Sequence, residues 1–342
     1  MMGRIAAGAL AALVLGSAAC SVIAGKDDPG RNSDAPSVRI LYEQTLRNQA
    51  SLRGMGLQPT DFATDPATSL QRPIGVVADP YRVYVTERSP VPRLAIFDRS
   101  DNTLSFVSIL PVPDRMQFQF VDPVAIAVDE SGLIFVADSA QGKVFGMDRK
   151  GGLFFGIGKA GELGAPSGLA VDVRGNRLYV ADKSAHRVQA YTLQGSLLYE
   201  FRGPDLKQQE KEKEKGLGSP VGIAVDRNGV CYVLDERGNR VVLFDANGSF
   251  LRSFRVRSAV RGRTIKPAGI AVDSAGQVYV SDSQNSAILI FGQDGALRQS
   301  WGGTGSQQDA LWNPAGIFID GRDYLYIADQ MNGRVQVYQL HK

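Results

Sequence analysis

The chain has 342 residues, of which 44% are hydrophobic and 21% are charged. This composition excludes a wholly disordered chain, and the length allows a sizeable buried core. The formal net charge of +3 is too small to make nucleic acid or an acidic membrane an automatic partner. We therefore expect a soluble globular protein in which any basic surface arises locally.

Residues 1–19 predict a secretory signal peptide, since Arg4 precedes an apolar run that ends in small residues. The run would span only about 22 Å as a helix, which disfavours a permanent transmembrane segment. The segment Ser-Ala-Ala-Cys resembles the lipobox of bacterial lipoproteins and implies that Cys20 is lipidated, although Ser17 stands where that family usually has Leu. Ordinary cleavage, which leaves a free or trimmed cysteine, is the alternative.

Residues 20–37 predict a lipidated cysteine and a flexible tether, because Gly, Pro, Ser and Asp dominate this stretch. Ser21, in second place, implies the outer membrane by the sorting rule of such lipoproteins, so we expect an exported protein facing the periplasm or the cell surface. The only other cysteine is Cys231, so lipidation of Cys20 leaves no intramolecular disulfide. Residues 38–342 form the predicted globular part.

A segment of the type P-x-G-I-A-V-D occurs six times in the remaining chain. An apolar segment ending in a second acid, such as VYVTE or LYIAD, follows each copy, and then comes a third segment such as RVVLF. A fourth, such as FLRSFRV, precedes the next copy. These segments are rich in β-branched and aromatic residues and are separated by Gly, Asp or Asn, which predicts strands joined by tight turns. The copies begin at Pro73, Pro123, Pro166, Pro220, Pro267 and Pro314.

The prolines are 43 to 54 residues apart, a period typical of propeller blades. The pattern resembles the NHL repeat, whose family fold is a six-bladed β-propeller. We therefore predict an all-β fold of six four-stranded antiparallel blades. The sixth repeat lacks a fourth strand, whereas residues 38–46 alternate like a strand. We expect this N-terminal strand to complete the last blade and close the ring.

The second acid of each repeat is predicted to be structural. A carboxylate at the end of the second strand can accept backbone N–H bonds from a loop and can pair with a base that opens the third strand. The alternative is a calcium site built from these carboxylates at one mouth of the channel; otherwise no cofactor is expected. The acids are Glu87, Asp138, Asp182, Asp235, Asp282 and Asp329, and the bases are Arg93, Lys143, Arg187, Arg240 and Arg334.

Residue types that often carry catalysis are predicted to be inert here. Cys231 takes a position that holds Val, Ile or Leu in the other repeats, which indicates a buried apolar side chain. His186 lies in a loop, and His341 is the only other histidine, so a histidine cluster for catalytic zinc is not expected. The chain shows no evident Ser-His-Asp or Cys-His pairing, and no catalytic residue is assigned.

Departures from the repeat indicate a candidate binding surface. The link between repeats four and five carries Arg257, Arg261 and Arg263 and no acid. Trp312 and Phe118 lie in links on the same predicted face and have no aromatic counterpart in the other repeats. Arginine and tryptophan dominate binding hot spots, so we expect these five residues to contribute to one surface.

The resemblance and the export signal together predict a membrane-anchored, monomeric propeller that acts as a protein- or ligand-binding scaffold. Animal members of the NHL family bind RNA through a basic propeller face, but export disfavours nucleic acid here. An anionic partner is expected instead: another exported or membrane protein, a glycan or a lipid headgroup. The alternative function is a calcium-dependent hydrolase or lyase of the six-bladed type, which acids free of arginine partners at a channel mouth would favour.

Overall fold

The computed structural model describes residues 38–47, 68–110, 118–158, 161–203 and 216–341. These residues form six four-stranded antiparallel blades, which confirms the predicted all-β propeller. The predicted signal peptide, Cys20 and the tether lie outside the described residues. No helix in the described part of the chain has the length and apolar character to cross a bilayer.

Each blade runs from an innermost strand A to an outermost strand D. The A strands are β2 (Pro73–Ala78), β8 (Pro123–Val128), β12 (Pro166–Asp172), β16 (Pro220–Val225), β20 (Pro267–Val272) and β24 (Pro314–Ile319). The B strands are β3 (Arg82–Glu87), β9 (Ile134–Asp138), β13 (Arg177–Asp182), β17 (Cys231–Asp235), β21 (Val278–Asp282) and β25 (Tyr324–Asp329). The C strands are β4 (Arg93–Asp98), β10 (Lys143–Met147), β14 (Arg187–Thr192), β18 (Arg240–Phe244), β22 (Ala287–Phe291) and β26 (Arg334–His341).

The D strands of blades 1–5 follow their own C strands, and the sixth comes from the other end of the chain. They are β5 (Thr103–Val107), β11 (Leu153–Ile157), β15 (Leu197–Phe201), β19 (Phe250–Arg255), β23 (Leu297–Gly302) and, for blade 6, β1 (Arg39–Leu46). A short hairpin of β6 (Ile109–Leu110) and β7 (Phe118–Gln119) links blades 1 and 2. A single 3-10 turn, Gln330–Asn332, joins β25 to β26.

Strand β1 closes the ring, as the incomplete sixth repeat predicts. It pairs antiparallel with β26, from Arg39 opposite His341 to Leu46 opposite Val335, with a bulge after Tyr42. Pairing of β1 covers the edge that β26 would otherwise leave open. Each A strand also contacts the A strands of both neighbouring blades, so the ring is continuous.

The hydrophobic core lies between neighbouring blades. In the cluster shared by blades 3 and 4, Tyr179 and Val188 of blade 3 pack with Val233 and Phe244 of blade 4. The alternating apolar residues of the B and C strands supply both sides of each interface. Six such interfaces bind the blades into one body, which explains why no single blade needs a core of its own.

The glycine of the P-x-G motif is required where the A strands converge around the axis. A Cβ atom placed on Gly168 would lie 2.9 Å from the Cα atom of Gly222 in the next blade. On Gly269 it would lie 3.0 Å from the Cα atom of Gly316. The motif therefore permits close backbone approach, which is a structural role.

Candidate functional site

The loops of the propeller fall on two faces. Because the strands of a blade are antiparallel, the links from strand D to the next strand A share one face with the B–C loops. We call this the connection face. The A–B and C–D turns form the opposite side, which we call the turn face.

The repeat acids stabilise the connection face through hydrogen bonds. The carboxylate of Asp235 accepts hydrogen bonds from the backbone N–H groups of Gly218 and Ser219 at 3.1 and 2.7 Å. It also accepts one from Nε of Arg240 at 3.0 Å. All six acids are buried at the ends of their B strands, and each accepts backbone N–H bonds from the preceding link. Their carboxylate oxygens therefore already accept hydrogen bonds from the propeller itself.

The pairing of these acids with bases varies between blades. Arg93 and Arg334 donate to their acids at 2.7 Å, and Arg187 lies 3.7 Å from its own. Lys143 does not pair with Asp138 in the described structure; its Nζ atom lies 5.3 Å from the centre of the Phe118 ring. The side chain of Gln141 donates to Asp138 instead, at 2.9 Å. An amide can replace the base because the carboxylate is already stabilised by two backbone N–H groups.

The link between blades 4 and 5 presents the predicted arginines to solvent. Arg257, Arg261 and Arg263 are all exposed, and their side chains have no hydrogen-bond or ion-pair partner among the described residues. Val256 anchors the start of the link in the core, and its N–H group bonds to the carbonyl of Asn239 at 2.7 Å. The link is therefore fixed at its start while its charges stay free to bind.

Trp312 lies in the next link around the ring. Its backbone N–H donates to Asp329 at 2.7 Å, while its side chain is 48% exposed. The neighbouring Leu311 is fully buried and caps the core. The N–H of Met331 donates to the carbonyl of Trp312, and Met331 is also exposed. The two apolar side chains thus lie on the same face as the arginines, Trp312 in the next link and Met331 in the B–C loop of blade 6.

Phe118 lies apart from this group. It belongs to β7, in the link between blades 1 and 2, three links around the ring from the arginines. Its ring is half-buried, and its centre is 6.3 Å from that of Phe145. Phe120 is fully buried in the same cluster. The structure therefore brings four of the five predicted binding residues to adjoining links and leaves Phe118 with the packing between blades 1 and 2.

The channel opens on the connection face into a cavity of about 370 Å³. All six A strands line it, and Arg88, Ser139 and Lys183 stand at its rim. Arg88 pairs with Asp122 of blade 2, and Lys183 pairs with Glu236 of blade 4 at 2.8 Å. These rim charges therefore bridge neighbouring blades.

The channel mouth on the turn face is acidic, a feature that sequence reasoning missed. Its cavity of about 780 Å³ is lined by the aspartate that ends each P-x-G-I-A-V-D segment. The sequence feature that could have revealed this mouth is the constant Pro-to-Asp spacing, which places one carboxylate per blade at the same level along the channel axis. The six residues are Asp79, Asp129, Asp172, Asp226, Asp273 and Asp320.

The turn-face carboxylates bond to their own turns. Asp226 accepts the N–H groups of Asn228 and Val230 at 2.8 and 3.0 Å and the hydroxyl of Tyr232 at 3.3 Å. Burial, together with the nearby Asp226 carboxylate, raises the pKa of Tyr232 to about 12. Among the described residues, no group of three or more His, Cys, Asp or Glu side chains is arranged to hold a metal ion.

The NHL family model matches two stretches, residues 163–191 and 264–291. Each stretch runs from the link before a blade to its C strand, in blades 3 and 5. These two repeats of the chain match the NHL repeat.

A curated relative agrees with this assignment. NHL repeat-containing protein 2 of Gallus gallus is 31% identical over 81 residues, which cover 23% of this chain. The match spans only 11% of that relative's length. The shared segment therefore concerns a short part of the relative and not the rest of it.

Solved structures resemble this propeller in fold. A Bacteroides thetaiotaomicron protein of unknown function is 15% identical with a TM-score of 0.61, covering 89% of this chain and 77% of its own. Virginiamycin B lyase of Staphylococcus aureus is 13% identical with a TM-score of 0.55, covering 89% and 100%. A streptogramin B lyase is 14% identical with a TM-score of 0.56, covering 80% and 94%. At these identities the likeness concerns the fold alone.

Cys231 and His186 occupy structural positions in the propeller. Cys231 is a free, buried thiol, and burial raises its pKa to about 12. His186 has a positive φ of 54°, and its ring Nδ1 lies 2.6 Å from the carbonyl oxygen of Gly218. The same loop position has positive φ in four other blades, which explains its Gly, Asn, Ser or His occupants.

Proposed function

We propose that this NHL propeller is an exported, lipid-anchored binding scaffold whose connection face receives an anionic partner. The observation that carries the proposal is the link between blades 4 and 5. Three exposed arginines, Arg257, Arg261 and Arg263, have no partner among the described residues and lie on the same face as Trp312 and Met331. Arginine fits carboxylate or phosphate groups through its planar fork, and the apolar pair adds area that desolvates on contact.

The anchor and the compartment rest on the sequence. The signal-like N-terminus and the lipobox-like segment before Cys20 support an outer-membrane lipoprotein. In that compartment the fitting partners are an acidic exported or membrane protein, an anionic glycan or a lipid headgroup. We favour an acidic protein, because an NHL propeller suits a scaffold and the Trp312 and Met331 pair suits a protein surface.

The test compares two variants of equal charge change. Arg257→Ala/Arg261→Ala/Arg263→Ala removes three bases from the connection face. Arg174→Ala/Arg227→Ala/Arg322→Ala removes three exposed bases from the turn face. In a pull-down from membrane extracts, we expect the first variant to lose partner recovery by about tenfold or more and the second to retain it.

Folding and salt provide the controls for this experiment. Exposed substitutions change stability by about 0.5 kcal/mol or less each, so both variants should melt close to the wild type. Higher salt should weaken capture by the wild type, since charge contributes to binding. Identical partner lists from the wild type and the connection-face variant would overturn the proposal.

A calcium-dependent hydrolase or lyase is the second candidate, since six aspartates line the turn-face mouth, although no three carboxylates of the described residues are arranged to hold a metal ion. Oxygen-rich sites suit calcium, although these carboxylates already accept bonds from their turns. A calcium site would raise the melting temperature at millimolar calcium, and Asp226→Asn would reduce that gain. An unchanged melting temperature would remove this candidate.

A further inference from the structure

The outermost strands of blades 2, 3 and 4 carry exposed apolar side chains where they leave the C–D turns. Phe154 of β11 is 66% exposed, Leu198 of β15 is 47% exposed and Leu251 of β19 is 49% exposed. Leu197 and Phe250 are exposed beside them. We call these five residues the apolar arc. They lie on three successive blades at the rim of the turn face.

Packing does not require apolar residues in this position. Phe154, Leu198 and Leu251 each stand three residues after the glycine of their C–D turn. In blade 5 the same position holds Arg298, whose side chain donates to Asp294 at 2.6 Å. A charged residue is therefore accepted by the fold at this position, so the apolar side chains of Phe154, Leu198 and Leu251 are specific to blades 2, 3 and 4.

The chain enters the propeller from the same face. Arg39 pairs with His341, the last residue of β26, and the N–H of Leu340 bonds to the carbonyl of Asp323 in an A–B turn. Val38, the first described residue, therefore lies at the turn face on blade 6. Blade 6 stands across the ring from blade 3, the middle blade of the apolar arc. The chain therefore enters the propeller on one side of the turn face, and the apolar arc lies on the opposite side of the same face.

The predicted lipid site is within reach of that face. Cys20 precedes Val38 by eighteen positions, a stretch that spans at most about 60 Å when fully extended. An acylated Cys20 would hold the propeller close to the bilayer, so a weak surface contact would act at high local concentration. A contact too weak to bind alone would then be sufficient to orient the molecule.

We propose that the apolar arc docks on the bilayer to which Cys20 anchors the chain. The turn face then lies against lipid, and the connection face is presented to partners away from the membrane. This inference rests on the lipid anchor of the proposed function. Beside Phe154, a groove of about 810 Å³ is lined by Arg149 and Lys150, which can approach phosphate headgroups.

Charge determines which lipid surface fits. The turn-face mouth is lined by six aspartates and Glu130 but only three bases, Arg174, Arg227 and Arg322, so its net charge does not favour an anionic surface. We therefore expect the contact to be driven by burial of apolar area. We therefore expect docking on zwitterionic phosphatidylcholine vesicles, with little dependence on salt. A requirement for anionic lipid would indicate that Arg149 and Lys150 dominate and would overturn the apolar mechanism.

The experiment uses the full mature lipoprotein in phosphatidylcholine vesicles that carry a nitroxide-labelled lipid. A fluorophore is attached through Leu197→Cys in the apolar arc or through Trp312→Cys on the connection face. The native Cys231 is buried and gives little background labelling. We expect quenching by the lipid nitroxide to be at least about threefold stronger at position 197 than at position 312.

A second variant separates docking from anchoring. Phe154→Gln/Leu198→Gln/Leu251→Gln should stay in the vesicles through its acyl chains, while quenching at position 197 falls to the level at position 312. Equal quenching at both positions in the otherwise unchanged protein would overturn the proposal. Intact mass and the partner pull-down report on the proposed function separately, because neither depends on which face meets the lipid.

Discussion

The connection face and the turn face of the ring use carboxylates in different ways. On the connection face the repeat acids are buried, as with Asp235, and the groups left in solvent are bases such as Arg261. On the turn face the aspartates surround an open mouth, and the outer rim is apolar at Phe154 and Leu198. The shared residues therefore build the same ring, and the residues that differ between blades make the two faces chemically different.

Both faces depend on a closed ring, so the largest effect is expected from opening it. Deletion of residues 38–46 removes the buried side chains of Val38, Ile40 and Leu46 and uncovers the edge of β26. Burial of three aliphatic side chains contributes about 5 kcal/mol, so the melting temperature should fall by many degrees. Thermal unfolding measured by circular dichroism reports the change.

The control is a deletion of nine residues within the tether, 24–32, which shortens the chain equally and leaves β1 intact. Unchanged melting after deletion of residues 38–46, with the protein still monomeric, would show that β1 does not stabilise the ring.

The two kinds of acid should differ in their contribution to stability. Asp235→Asn removes the negative charge that pairs with the buried Arg240, which is expected to cost about 3 kcal/mol. Asp226→Asn weakens bonds within one exposed turn, which is expected to cost about 1 kcal/mol. Urea unfolding of both variants gives the comparison. Equal losses would mean that the connection face is not the more tightly bonded side.

A smaller effect is expected from the thiol between blades 3 and 4. Burial raises the pKa of Cys231 from its ordinary value of 9.0 to about 12, so the folded protein keeps the thiol protonated where the unfolded chain ionises it. The thiol therefore does not lower the free energy of unfolding below about pH 9, and that free energy falls as the pH rises towards 12. Cys231→Val should therefore lose less stability than the wild type between pH 9 and pH 11, measured by thermal melts. A steeper loss in the variant would contradict this sign.

Much of the fold could be predicted because the same sequence pattern occurs six times. The proline, glycine and acid recur at fixed spacing, and the missing last strand identifies the role of β1. The sequence allowed Lys143 to pair with its repeat acid, but Lys143 lies over Phe118 instead, which the irregular hairpin of β6 and β7 brings close. The inward packing of Phe118 could not be predicted from the sequence. A residue that has no counterpart in the other repeats can still pack against the core.

Neither the apolar arc nor the acidic mouth could be predicted from the sequence, for related reasons. Leu198 and Leu251 look like ordinary alternating strand residues, and only the outermost position of β15 and β19 leaves them exposed. The aspartates of the mouth belong to the repeat motif and so look purely architectural. Their convergence on one opening requires the ring to be closed, which local spacing does not show.

Photo-crosslinking in living cells tests most directly which face binds a partner. A photoreactive phenylalanine derivative is placed either at Arg261 on the connection face or at Arg322 on the turn face. We predict that irradiation yields a protein adduct from position 261 and none from position 322, because the turn face lies against lipid. Protein adducts from position 322 alone, or equal adducts from both positions, would contradict the account.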